Sequence, residues 1–273
     1  MRLTILVDNQ AGCGLQGEWG LSALVEQGEV TVLLDAGATE LFAVNAQELG
    51  VDLDRVDAAV LSHAHFDHAG GMAAFFARNA HAPFYVQRSC GEDCYAEHPG
   101  KELEYIGVPR GVLSAYASRI VRVGERVQVA PGFWLLGHST PGLEEVGRAS
   151  HMLAGPVDDL RPDDFSHEQS LVVELESGGI AVFNSCCHAG ADVVVREAQQ
   201  AWPGQRVRAV VGGFHLYETP RDQVRDFARR LGETGVELVV TGHCTGPDAL
   251  DVLTRELGAD VVKPMSCGLV LEL

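Results

Sequence analysis

The order of apolar segments is the feature that most restricts the fold of this 273-residue chain. Each half opens with β-rich segments separated by short turns, such as RLTILVD, LSALVE and VTVLLDAG in the first half. Each half then alternates strands with helices, as in TELFAVNAQELG before DAAVLSH, or PRDQVRDFARRLGETG before ELVVTG. Two sheets packed face to face, with helices outside each, would bury all these segments. We therefore predict an α/β fold with four layers.

Two stretches of the chain, 88–118 and 138–168, lack such periodicity and are rich in Gly, Pro and charged residues. We predict one domain over residues 1–273, in which both stretches are irregular insertions. Ordinary connections have about 4 to 6 residues, and much longer ones are usually functional. We expect the insertions to cover a site and to supply substrate contacts, with a remote insertion or a dimer contact as the alternative. The candidate contacts are Arg88, Tyr95, Tyr105 and Arg110.

Composition restricts the partners. With 38 acidic and 20 basic residues, the chain carries a formal charge of −18, which argues against binding a nucleic-acid backbone. No apolar run approaches the roughly 18 to 20 residues of a membrane span, and Asp8 and Asn9 interrupt any signal-peptide core. We expect a cytoplasmic protein with a small-molecule substrate and with neither nucleic acid nor membrane as partner. A homo-oligomer is compatible with the sequence. The odd number of cysteines, seven, favours free thiols.

The segment LSHAHFDHAGG, residues 61 to 71, places three histidines and an aspartate after a predicted buried strand. Alternate side chains of an extended segment project to one side, so His63, His65 and Asp67 can converge while His68 turns aside. Two imidazoles can hold one ion, and the Asp67–His68 pair can hold a second about 3.5 to 4 Å away. The pattern therefore predicts a two-metal site, against the alternative of a chance surface run of histidines.

The same segment resembles the H-x-H-x-D-H signature of the metallo-β-lactamase fold, in which two mixed β-sheets lie between helical layers. Further segments are similar in order and spacing to the subgroup of dihydropterin-ribofuranosylaminobenzene-phosphate synthase-like proteins. These segments are VDNQAGCGLQGEWGLSALVE, LLDAG, HEQSLVVEL, NSCCHAG, VVGGFHL and TGHCTG. The resemblance spans most of the chain and weakens between residues 88 and 165. It implies an αββα sandwich.

The resemblance also implies a ligand set. His63 and His65 would bind the first metal, and Asp67 and His68 the second. His243, in TGHCTG, would be the third ligand of the second metal. For the third ligand of the first metal the alternatives are His188 and His167, of which we favour His188.

Cys186 or Cys187 stands where the fold usually has a bridging aspartate. A thiolate ligand would favour zinc, whereas a spectator cysteine leaves manganese or iron as alternatives. We favour two zinc ions and regard the adjacent cysteines as packing residues. His215, at a predicted strand end, is a candidate to bind substrate or donate a proton, with a structural role as the alternative. We assign no role to His138.

The chemistry implied is hydrolysis at a dinuclear metal centre with an activated bridging water, acting on a small phosphorylated or cyclic ester. Asp67 and His215 are the candidate catalytic residues. One alternative is the reaction of the subgroup, which joins a dihydropterin diphosphate to an aminobenzene ribose phosphate. Another is a non-catalytic metal-binding or sensing protein. A redox diiron protein of this fold usually has Glu where His65 stands, so we set that class aside.

Overall fold

The computed structural model describes residues 1–98 and 100–273. Pro99, in the insertion predicted at 88–118, lies outside the described residues. The strands are β1 Arg2–Val7, β2 Ser22–Gln27, β3 Val30–Leu34, β4 Ala58–Val60, β5 Phe84–Gln87, β6 Cys94–Ala96, β7 Glu104–Tyr105, β8 Ile120–Val123, β9 Arg126–Ala130, β10 Phe133–Gly137, β11 Met152–Ala154, β12 Arg161–Pro162, β13 Gln169–Glu174, β14 Ile180–Phe183, β15 Val207–Gly212, β16 Leu238–Thr241, β17 Val262–Pro264 and β18 Val270–Glu272. The helices are α1 Leu41–Glu48, α2 Phe66–Ala69, α3 Met72–Arg78, α4 Val112–Ala115, α5 Glu144–Ala149, α6 Ala191–Ala201, α7 Arg221–Gly232 and α8 Pro247–Leu257, with short 3-10 turns at Leu53–Arg55 and His243–Thr245.

Two seven-stranded sheets form the centre of the molecule. The first has the order β18-β1-β2-β3-β4-β5-β8, and the second has the order β17-β16-β15-β14-β13-β10-β9. Each sheet is mixed. In the first, β18 to β3 pair antiparallel and β3 to β8 pair parallel. In the second, β17 to β14 pair parallel and β14 to β9 antiparallel.

Three layers of buried apolar side chains separate the four structural layers. Alternation along β2 shows how the sequence builds them, because Leu24 packs toward the helices while Ala23 and Val25 face the other sheet. The middle layer, between the sheets, includes Ile5, Val32, Phe133, Phe183 and Val240. One outer layer contains Phe42 and Phe75 of α1 and α3, and the other contains Val194, Phe227 and Leu253 of α6, α7 and α8. The predicted αββα fold is confirmed.

The two stretches predicted to be irregular contain short strands that pair with each other. Strand β6 of the first stretch pairs antiparallel with β11 of the second, with Ala96 opposite Met152, in a small sheet of order β12-β11-β6-β7. No sequence pattern indicated this sheet, because strands of two or three residues are too short to show a period. No helix among the described residues is long and apolar enough to cross a membrane.

Candidate metal centre

The carboxyl ends of the parallel strands in both sheets meet at one edge of the sandwich. Asp35 follows β3, His63 follows β4, Cys186 and His188 follow β14, and His243 follows β16. Four non-glycine residues at this edge have a positive φ: 59° at Asp35, 46° at His243, 44° at Cys187 and 51° at His215. Left-handed backbone costs a non-glycine residue roughly 1 to 2 kcal/mol, and such strain tends to collect at functional sites. This edge is therefore where the chain departs most from relaxed geometry.

The motif itself changes conformation within six residues. His65 is extended, with φ −101° and ψ 150°, and it caps α2, which begins at Phe66. Asp67 and His68 thus lie in a helical turn, whereas we expected Asp67 to project from a continuous extended segment. The turn brings Asp67 Oδ2 to 3.5 Å from His68 Nε2 and 3.3 Å from His243 Nε2. The convergence predicted from spacing occurs, but through a helical turn.

The six predicted ligands form two groups whose donor atoms lie within 4.8 Å of one another: His63, His65 and His188, and Asp67, His68 and His243. All six are buried. Around a tetrahedral zinc with bonds of about 2.0 to 2.2 Å, donor atoms are separated by roughly 3.3 to 3.5 Å, which matches the spacing within the second group. The geometry brings together the predicted residues in the predicted sets, while their role as metal ligands stays a prediction.

Unpaired nitrogens test whether this site suits a metal. The Nε2 atoms of His63, His188 and His243 are buried without a hydrogen-bond partner, as is that of His65, which has Asp163 Oδ2 at 4.0 Å. A buried polar atom without a partner costs about 1 to 3 kcal/mol. Several such atoms around one small volume are the expected state of imidazoles whose lone pairs bind cations. The donor set therefore fits two divalent metal ions.

The other ring nitrogen, Nδ1, has a hydrogen-bond partner in four of the five candidate histidines. His68 Nδ1 lies 2.8 Å from Asp35 Oδ2, and His63 Nδ1 lies 2.8 Å from Ser62 Oγ, which itself donates to Asp35 Oδ2 at 2.7 Å. His188 Nδ1 bonds Glu168 Oε2, and His243 Nδ1 lies 3.0 Å from Asn9 Oδ1. Such bonds place the proton on Nδ1 and leave Nε2 free for a metal. One carboxylate, Asp35, therefore orients a histidine of each group.

Protonation in this site follows burial and neighbouring charge. Burial, together with His68 and His65, holds the pKa of His63 well below its usual value, so its ring is neutral. Burial would raise the pKa of Asp67, but His68 and His243 outweigh this and hold it well below its usual range. Burial likewise lowers the pKa of His68, yet Asp67 and Asp35 raise it to about 10. Asp67 is therefore anionic, as metal binding requires.

Cys186 occupies the space between the two groups. Its Sγ lies 3.3 Å from His68 Nε2 and 3.4 Å from Cys244 Sγ. It is within 4.8 Å of ligand atoms from both groups, namely those of His63 and His68 and that of His243. Cys187 is different: its Sγ bonds Asn184 O at 3.3 Å, and it packs in the outer core. Of the adjacent cysteines, only the first thus faces the predicted metal ions. All seven cysteines are free thiols.

The ring of His167, the alternative to His188, lies 5.5 Å from the ring of His65. Its Nδ1 accepts from the Ala64 N–H at 3.2 Å, and its Nε2 donates to Asp163 Oδ2 at 3.0 Å. Both ring nitrogens are thereby occupied. The geometry supports the preference for His188, whose Nε2 is free.

A cleft of about 270 Å³ opens above the candidate ligands. His215 lies in its wall, 4.9 Å from the ring of His188, with an Nδ1 that lacks a hydrogen-bond partner. The small third sheet covers the opposite side, where Ile106 and Met152 line the cleft. Phe66 N donates to Ile106 O at 2.8 Å, which fixes this cover directly to the motif. His215 is therefore placed to contact a substrate.

The four candidate contacts from the insertions do not line this cleft among the described residues. Arg110 lies 4.1 Å over the ring of Tyr105, and its Nη2 donates to the hydroxyl of Tyr95 at 3.0 Å. Contacts among these three side chains stabilise the small sheet. Arg88 is exposed and does not line the cleft. Our assignment of these residues to substrate contact was wrong, because in a short antiparallel sheet only one face points at the site.

Sequence reasoning missed a buried polar chain that extends from the candidate ligand His188. Glu168 bonds His188, and its Oε1 lies 2.6 Å from His138 Nε2. His138 Nδ1 lies 2.8 Å from Glu197 Oε2. Burial lowers the pKa of His138, but Glu168 and Glu197 raise it to about 10, so His138 is a cation between two carboxylates. Glu168 directly follows the candidate ligand His167 in the sequence. No sequence pattern indicated that Glu168 would contact His138 and His188.

The family model of the metallo-beta-lactamase superfamily matches residues 20–143, which include the motif. A solved structure with the same overall fold is that of Tm1679, described as a metal-dependent hydrolase of the beta-lactamase superfamily. It is 29% identical, superimposes with a TM-score of 0.83, and the match covers 100% of this chain and 99% of that one. The chain is thus similar to metallo-β-lactamase superfamily proteins in sequence over residues 20–143 and in fold over its matched length. The resemblance predicted from the motif is thus confirmed.

Two further proteins differ in how much they share with this chain. A Methanocaldococcus jannaschii protein, 7,8-dihydropterin-6-methyl-4-(beta-D-ribofuranosyl)-aminobenzene-5'-phosphate synthase, is 25% identical over 95% of this chain and 92% of its own length. The metallo-beta-lactamase fold protein YhfI from Bacillus subtilis is 12% identical with a TM-score of 0.57, covering 99% of each chain. YhfI therefore supports the fold alone, whereas the synthase relates to the predicted subgroup.

Proposed function

We propose that this protein is a metal-dependent hydrolase of a small phosphorylated or cyclic ester, with a dinuclear metal centre in which zinc is favoured. The observation that carries the proposal is the set of buried, unpaired Nε2 atoms at the floor of an open cleft. When bound, two divalent cations supply Lewis acidity that activates water and stabilises negative charge on the attacked ester. The open cleft favours catalysis over a purely structural metal site, because a substrate can reach the floor.

Different side chains have different roles in this proposal. Asp35, Glu168 and Asn9 fix imidazole orientation through Nδ1. Asp67 stays anionic and attracts cations to the second group. His215 faces the cleft and is positioned to donate a proton to the departing alkoxide. The small third sheet limits the entry of bulk water from one side.

A second candidate is transfer rather than hydrolysis, since a relative over nearly the full length is named as a dihydropterin-related synthase. In that reaction the same residues would hold the diphosphate leaving group of a pterin. At 25% identity the relative does not decide between the two reactions.

The deciding experiment measures metal content and turnover together. Protein reconstituted with zinc or manganese is expected to bind about two equivalents and to hydrolyse bis(p-nitrophenyl) phosphate. Asp67→Asn should lose metal from the second group together with activity. His215→Gln should retain metal while kcat falls by about 100-fold.

His81→Gln is the matched control, because His81 is exposed and lies outside the cleft. Less than one bound equivalent in the reconstituted wild type would refute the dinuclear centre. Full activity of Asp67→Asn would refute the mechanism.

A further inference from the structure

A second cavity opens beside the cleft above the candidate ligands, which we call the metal cleft, and shares a wall with it. We call this second cavity the ring pocket. It measures about 470 Å³, and its apolar floor includes Pro247, Leu250 and Met265. Trp19, Tyr217 and His243 line both the ring pocket and the metal cleft, so a molecule can extend from one to the other. The chemistry proposed above makes no use of this space.

Two aromatic side chains form the shared wall. Trp19 is 47% exposed and Tyr217 is 43% exposed, and their ring centroids are 5.6 Å apart at 79°. Trp19 also lies 5.3 Å from the ring of His243. Large aromatic side chains left exposed next to each other are characteristic of binding surfaces, and they offer edges and faces to a flat ligand.

The backbone fixes both aromatic residues before any ligand arrives. Tyr217 N donates to Cys244 O at 3.2 Å. Gly20 N, next to Trp19, donates to Asn9 Oδ1 at 3.2 Å. Gly246 has a φ of 74°, and a Cβ there would lie 2.9 Å from Tyr217 Cα, so glycine is needed for this close approach. A wall held in this way loses little entropy on binding.

The charge of the ring pocket restricts its ligand. Among the described residues that line it, none carries a carboxylate, ammonium or guanidinium group, although the chain has a net charge of −18. An anionic or cationic group would lose hydration there without gaining an opposite charge. An uncharged ring would replace water against Leu250 and Met265 and contact the aromatic wall.

We propose that the ring pocket binds an uncharged planar aromatic group of the substrate while the ester of the same molecule lies over the candidate metal ligands. The substrate class is thereby narrowed to aryl esters and aryl phosphates. The ester half of this statement rests on the proposed function, whereas binding of the ring does not.

Calorimetric titration of the 273-residue chain with free pterin and with adenine tests the proposal. Both are flat heteroaromatic probes, and cyclohexanecarboxamide is the saturated control. We expect saturable binding of the flat probes alone, accompanied by quenching of Trp19 fluorescence. Trp19→Ala and Tyr217→Ala should each weaken binding by about tenfold, as loss of one stacking contact does. Both side chains are exposed, so these variants should fold.

Two further variants distinguish the ring pocket from the metal cleft. Leu250→Trp fills the ring pocket and should abolish probe binding. Phe66→Ala removes an exposed aromatic side chain that lines only the metal cleft, so it should bind the probes like the wild type. Unchanged affinity in Leu250→Trp, Trp19→Ala and Tyr217→Ala, or loss of affinity in Phe66→Ala, would overturn the proposal.

Turnover separates this proposal from the proposed function. For aryl phosphodiesters, Trp19→Ala should raise KM by about tenfold and leave kcat nearly constant, with no effect on alkyl phosphodiesters. An equal change for both substrates would overturn the ring pocket. Probe binding with the expected variant pattern, in a metal-loaded protein that hydrolyses no ester, would instead reject the hydrolase and retain the ring pocket.

Discussion

Replacement of His138 tests the buried chain that supports the candidate ligand His188. The side chain of His138 is 5% exposed and bonds Glu168 at 2.6 Å and Glu197 at 2.8 Å. A hydrogen bond to a charged group contributes roughly 1.5 to 3 kcal/mol, so His138→Ala should lower the free energy of unfolding by about 3 to 5 kcal/mol. His138→Gln can keep one bond and should lose about half as much.

The pH dependence gives an independent check on this magnitude. Because the pKa of His138 is raised from 6.5 to about 10 in the folded state, its contribution is fully present below pH 6.5 and is lost as the pH rises toward 10. A shift of this size corresponds to an upper limit of about 5 kcal/mol. The stability difference between wild type and His138→Gln should therefore shrink steadily between about pH 6.5 and 9.

Urea unfolding followed by tryptophan fluorescence measures both effects, with the exposed His81→Gln as the control. If His138→Ala lies within 0.5 kcal/mol of the wild type at pH 6.5, the inference of a charged His138 between two carboxylates is wrong. A stability difference that stays constant with pH would also contradict it.

Two other predictions concern the site and the core. Asp35→Asn disturbs the orientation of both His63 and His68, so we expect metal affinity to fall by about 10- to 100-fold at both positions, measured by competition with a chromophoric chelator. Loss at one position alone would contradict the shared role of Asp35. Phe75→Ala empties a fully buried space under the first sheet and should cost about 3 to 5 kcal/mol in urea unfolding, while an equal loss from the exposed Val44→Ala would refute this reasoning.

Sequence patterns were sufficient to predict those features of the structure that depend on short-range interactions. The strand and helix periods predicted the layers, and the spacing of His63 to His68 predicted which side chains converge. The hairpin between β2 and β3 and the end of α1 near Gly50 also follow from short-range turn and capping preferences.

Pairing between distant segments was beyond this reasoning. His138 and Glu197 are 59 residues apart, and their contact exists only after β10 and α6 have been placed by the second sheet. The pairing of β6 with β11 is equally non-local. The ring pocket depends on Trp19 meeting Tyr217, which belong to different sheets' loops. Sequence spacing carries no information on such distances without the fold.

The pairing of β6 with β11 also restricts how this fold can be re-engineered. The cover of the cleft is assembled from two loops whose paired residues, such as Leu153 and Tyr95, are about 58 positions apart along the chain, and each loop supplies two of the four strands of the small sheet. Exchanging a single loop with that of a relative would leave unsatisfied backbone groups at the new edge. Variant libraries that aim to change the cleft should therefore exchange both loops together. Changes that arise in one loop during evolution have to be matched by the other loop in the same way.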